Sequence, residues 1–69
     1  MVNVVSSNLR AIGFDPTSQT MRVEFNNGSM WDYAGVSQET FNAVLNAESV
    51  GKAYNALIKG GGYAGTKVA

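Results

Sequence analysis

Thr20-Met21-Arg22-Val23-Glu24-Phe25-Asn26-Asn27-Gly28-Ser29-Met30-Trp31-Asp32-Tyr33 is the stretch that decides the fold. From Thr20 to Phe25 apolar and charged residues alternate. Met21, Val23 and Phe25 share one face of a strand, Arg22 and Glu24 the other. Asn26-Asn27-Gly28 is a hairpin signal, and Ser29 to Val36 reads as the returning strand. A two-residue loop pairs Phe25 with Met30 and puts Asp32 on the face of Val23. A three-residue loop, with Gly28 in the left-handed position, pairs Phe25 with Ser29 and Val23 with Trp31. A one-residue slip exchanges the faces, and burying a lone carboxylate is costly. The three-residue loop is therefore expected. It gathers Met21, Val23, Phe25, Trp31 and Tyr33 on one face and Arg22, Glu24, Met30 and Asp32 on the other.

Upstream, Ser7 to Phe14 reads as another strand, joined to the hairpin through the turn Asp15-Pro16-Thr17-Ser18. Downstream the period changes. Ser37 is a good N-cap with Glu39 in the first turn, and Phe41, Val44 and Leu45 mark an apolar stripe. Ser49 caps a second helix, in which Val50, Ala53, Tyr54, Leu57 and Ile58 fall at i, i+3, i+4, i+7 and i+8. Gly60 ends it. The expected fold is α+β: a three-stranded antiparallel β-meander followed by two short helices packed on one face (β-β-β-α-α). The domain spans 6–59, and 60–69 is expected to be a flexible glycine-rich tail.

Composition narrows the function. The 69 residues include no Cys and no His. That removes disulfides, thiol nucleophiles, Ser-His pairs and His-based metal sites. With 14% charged and 45% hydrophobic residues the chain is globular. Its five bases cancel its five acids, too little positive charge for tight binding to a long nucleic-acid backbone. No nucleophile and base can be assembled, so the expectation is a non-enzymatic protein without cofactor or metal. The opening Met1-Val2-Asn3-Val4-Val5 has neither the basic region nor the apolar length of a signal peptide or membrane span, and the expected location is cytoplasmic. Gly60-Gly61-Gly62-Tyr63-Ala64-Gly65 matches GxGxxG, but a dinucleotide loop needs a strand before it and a helix after it, which this stretch lacks.

What remains is binding. Trp31 and Tyr33 alternate on a strand, where aromatics either stack bases or pack beneath helices; the register favours packing. Candidate ligand-binding residues are Arg10, Arg22, Trp31, Asp32, Tyr33, Lys52, Tyr54 and Lys59. A domain this small, with no disulfide to staple it, barely offsets its conformational entropy. Met30 and the sheet edges look uncovered, so a homo-oligomer, in the simplest case a dimer, is expected.

Ser6-Ser7-Asn8-Leu9, Ile12-Gly13-Phe14-Asp15, Val23-x-Phe25, Gly28 and Trp31-Asp32-Tyr33-x-Gly35-Val36, followed by Phe41, Leu45, Ser49-x-Gly51 and Ile58, resemble the KTSC domain. Trp31 stands for the first Tyr of that family's central Tyr-x-Tyr motif. The family takes its name from the C-terminal part of some lysyl-tRNA synthetases and also occurs as stand-alone small proteins in bacteria and phages. The synthetase context implies a binding module for RNA or a nucleotide-like ligand. A free-standing phage-type member implies instead a protein-interaction or ligand-sequestering module acting on a host factor. After Ile58 the chain departs from the basic and aromatic continuation of many members and runs into Gly60-Gly61-Gly62.

Overall fold

A computed structural model describes residues 1–69. Five antiparallel strands form one sheet in chain order: β1 (Val2–Asn3), β2 (Leu9–Asp15), β3 (Thr20–Phe25), β4 (Met30–Tyr33) and β5 (Gly65–Lys67). Between β4 and β5 lie α1 (Gln38–Leu45), α2 (Val50–Tyr54) and a π-helical turn over Asn55–Lys59 that continues α2.

The central hairpin has the expected register. Val23 pairs with Trp31 and Met21 with Tyr33. The Phe25 N–H donates to the Ser29 carbonyl at 2.9 Å, and Gly28 sits at φ 90°. A Cβ at Gly28 would meet nothing within 4 Å, so only backbone strain opposes a side chain there. Gly28→Ala is expected to lower the unfolding free energy by about 1–2 kcal/mol, read from the urea midpoint.

Two corrections concern the sheet. The three expected strands are its centre, and short edge strands extend it on both sides. In β1, Val2 pairs with Ile12 and Asn3 with Ala11. The expected flexible tail instead supplies β5, whose Lys67, Thr66 and Gly65 pair with Trp31, Asp32 and Tyr33. The ordered domain therefore reaches beyond 6–59 at both ends. Strands of two and three residues are too short to show a hydrophobic period, and backbone pairing with an open sheet edge holds them.

The helices begin at their expected caps. The Ser37 hydroxyl accepts from the Thr40 N–H at 3.1 Å, and the Ser49 hydroxyl from the Lys52 N–H at 3.3 Å. Both helices cover one face of the sheet. Leu9, Ile12, Met21, Val23 and Tyr33 from the strands meet Phe41, Val44, Val50, Tyr54 and Ile58 from the helices in one core. A register slip between Leu9 and Ala11 lets both Leu9 and Ile12 point inward. A third correction lies in the second helix, where the expected stripe includes Leu57. The Gly60 N–H reaches the Asn55 carbonyl at 2.9 Å, an i to i−5 bond. This wider turn keeps Ile58 under Tyr54 and turns Leu57 out, leaving Ile58 0% and Leu57 41% exposed.

Candidate functional site

The alternation of β3 and β4 divides the candidate residues between the two sheet faces. On the open face, Arg22 and Asp32 stand opposite each other across β3 and β4. The Arg22 guanidinium donates two bonds to the Asp32 carboxylate, at 2.7 and 2.9 Å. Arg10 contacts Glu24 at 3.5 Å and donates to the Asn26 carbonyl at 2.9 Å. Both arginines thus already have a carboxylate partner. The hydrogen bonds from Arg22 hold the Asp32 carboxyl below the usual carboxylate range; slight burial opposes them and charge attraction adds to them. A depressed folded-state value means the pair's contribution to stability is full above the unfolded value of about 3.9 and fades as pH falls below it.

Trp31, Tyr33, Tyr54 and Lys59 come together elsewhere, on the helix side. With Phe25, Asn27 and Ser29 they line an open basin of about 420 Å³. β3 and β4 supply Phe25, Trp31 and Tyr33, and the continuation of α2 brings Tyr54 and Lys59 over them. Trp31 is half-buried and packs against the core. The Phe25 and Tyr54 rings meet edge to face with centroids 5.8 Å apart, and Tyr33 and Tyr54 do the same at 6.0 Å. The floor is polar at one point, where the Tyr33 and Tyr54 hydroxyls share a hydrogen bond of 2.5 Å.

Lys67, outside the predicted set, belongs to this neighbourhood. It pairs directly with Trp31 across β4 and β5, and cross-strand partners share a sheet face. Its position followed from β5, which the glycine-rich sequence concealed. Gly65 lies against the rings: a Cβ there would come within 2.7 Å of the Tyr33 ring and 3.3 Å of Trp31. Lys52, by contrast, does not line the basin; it is exposed on α2. No cluster of three carboxylates comes together to hold a metal ion.

The tyrosine pair makes a clean prediction. Tyr33 is 7% and Tyr54 3% exposed, so removing one hydroxyl leaves the other without its partner. Tyr33→Phe alone is expected to cost about 1–3 kcal/mol in urea unfolding, and adding Tyr54→Phe to recover part of that loss. Burial, reinforced by the Tyr33 hydrogen bond, pushes the Tyr54 hydroxyl well above the ordinary tyrosine range. A raised folded-state value is stabilising below the unfolded value of about 10, and that stability is lost as pH rises above it. The wild-type unfolding free energy should therefore fall more steeply above about pH 10 than that of the double phenylalanine variant.

The KTSC domain model matches residues 5–63. The chain belongs to the KTSC family. A KTSC domain protein from Yersinia pestis has a crystal structure that superposes with a TM-score of 0.88 at 28% identity, covering 97% of this chain and 93% of that one. A protein of Stutzerimonas stutzeri is 40% identical over 58 residues, which are 84% of this chain and 82% of the relative. The lysine–tRNA ligase of a Nostoc species is 35% identical over 52 residues, which are 75% of this chain but 9% of the ligase. The domain thus occurs both as nearly the whole of a small protein and as a minor part of a large one. No helix of it is long and apolar enough to cross a membrane.

Proposed function

We propose that this KTSC domain is a non-enzymatic binding module for single-stranded RNA or a nucleotide-like ligand, taken up in the aromatic basin. The observation that carries the reading is the grouping of a half-exposed Trp31 with Phe25 and the tyrosines, beside Lys59 and the cross-strand neighbour Lys67. An open aromatic surface accepts the face of any base, and two lysines beside it can meet a phosphate on either side. Neither lysine is in a salt bridge, whereas Arg10 and Arg22 already have carboxylate partners. The ligand is short, because a chain with no net charge cannot hold a long duplex electrostatically. A domain of the same family within a lysine–tRNA ligase supports RNA as the ligand class.

The test is an anisotropy titration with labelled single-stranded RNA and with a duplex of the same sequence, both at low salt. The single strand should bind more tightly, with a salt dependence corresponding to roughly two phosphate contacts. Equal binding of both forms, or no binding of either, removes the reading. A host protein recovered instead at the same surface would favour the protein-interaction alternative.

A further inference from the structure

The floor of the basin carries an uncommitted hydrogen-bond donor. Tyr33 and Tyr54 are 7% and 3% exposed, and each hydroxyl has the other as its hydrogen-bond partner. Two hydroxyls bring two hydrogens, and the bond between them uses one. Whichever tyrosine donates, the other keeps a hydrogen to place. The core residues packed around the pair are apolar and offer it no side-chain acceptor. Both tyrosines line the basin, so the second hydrogen is met from that side. A ligand that covers it must bring an acceptor or forfeit the bond that water would make there. Burial holds the Tyr54 hydroxyl well above the ordinary tyrosine range, so it keeps its proton at neutral pH.

A second donor sits at the rim. Asn27 Oδ1 accepts from the Ser29 N–H at 3.0 Å and from the Ser29 hydroxyl at 2.7 Å. A backbone N–H needs an oxygen, which fixes the amide: its NH2 group turns away from Ser29 and is free to donate. Asn27 also lines the basin. Ser29, Trp31 and Tyr33 alternate along the chain onto one face, so a base stacked on Trp31 lies between the Asn27 loop and the tyrosine pair. Lys59 and Lys67 are exposed, and a phosphate held by them keeps the sugar outward and turns the far edge of the base to the floor. Asn27 then meets an acceptor common to both pyrimidines, O2. The floor meets the group that differs: O4 of uracil or O6 of guanine accepts, whereas cytosine and adenine put an amino donor there. An amino group leaves the tyrosine hydrogen unpaired, which costs more than an ordinary hydrogen bond gains. Resting on the reading of the basin as a stacking site, we infer that it selects oxo bases, uracil or guanine, over their amino counterparts, and that the Tyr33–Tyr54 hydroxyl pair makes the choice.

Titrations with tetrauridylate and tetracytidylate at one low salt concentration, followed by Trp31 fluorescence, test this. The two strands carry the same charge, and their bases differ only in the oxo or amino group and the ring nitrogen beside it. Tetrauridylate should bind about tenfold more tightly. A strand carrying hypoxanthine should exceed its adenine counterpart in the same direction. Tyr33→Phe/Tyr54→Phe removes both hydroxyls together and so orphans neither. That double variant should bind both strands, still quenching Trp31, and lose the preference. Equal affinities with both strands quenching Trp31, a preference for cytidylate, or a uridylate preference kept by the folded double variant would each overturn the inference and leave stacking standing. Quenching by neither strand would overturn both.

Discussion

Ile12→Ala should come close to unfolding the protein. Ile12 is fully buried at the centre of the sheet, between Val2 of β1 and Val23 of β3. With Leu9, Met21 and Val23 it faces the helices, meeting Val44 and Ile58 in a single small core. Truncating a buried isoleucine removes its transfer free energy and leaves a cavity, at a cost of about 2–5 kcal/mol. At roughly 0.05–0.15 kcal/mol per residue, a domain this small holds only about 3–10 kcal/mol in total. The variant should melt more than about 10 °C below wild type, since each kcal/mol is worth several degrees at this size. Val2→Ala is the control. Val2 is 49% exposed on the edge strand, and its truncation should stay within about 0.5 kcal/mol of wild type. Similar losses for the two variants would show that the core is not where the structure places it.

Trp31→Ala carries the largest expected effect on binding. Stacking of a base on an aromatic side chain is worth about 1–3 kcal/mol, so affinity for a short single strand should fall about 5- to 150-fold. Trp31 also packs against the core, so the comparison must include Trp31→Phe, which keeps a ring in place. That variant should retain most of the affinity. Lys59→Ala acts through a different term. It should weaken binding across sequences and reduce the salt slope by about one phosphate contact, leaving stacking untouched. Equal losses for Trp31→Ala and Trp31→Phe would point away from stacking.

The hairpin was legible because two independent constraints agree on it. Alternation places Met21, Val23 and Phe25 on one face, and the cost of burying Asp32 selects the three-residue loop over the two-residue one. Ser37 and Ser49 were legible as caps because a hydroxyl just before an apolar stripe satisfies N–H groups that the helix itself cannot. β1 and β5 were not legible. Neither Val2-Asn3 nor Gly65-Thr66-Lys67 has a period to read, and both owe their order to the strand beside them. The π-helical turn was hidden because Leu57 and Ile58 are neighbours that both suit an α-helical stripe; the choice between them lies in the backbone bond from Gly60 to Asn55.

Strand parity alone separates Trp31 and Tyr33 from Arg22 and Asp32, and the structure keeps them apart. What parity cannot supply is the second wall. Tyr54 and Lys59 reach the basin through the path of the helix, and Lys67 through β5. Lys52, included for its charge, points from a part of α2 that serves neither surface.

Trp31 is the only tryptophan in the chain, so its intrinsic emission reports on the basin without a label. A base stacked on the indole should quench that emission. The decisive measurement is therefore Trp31 fluorescence during titration with a short single-stranded RNA at low salt, repeated as salt is raised. Binding in the basin should give saturable quenching whose midpoint moves to higher RNA concentration with salt and which Lys59→Ala weakens. RNA binding confirmed by anisotropy on the same samples, with Trp31 emission unchanged, would place the ligand elsewhere and rule out the basin as the site.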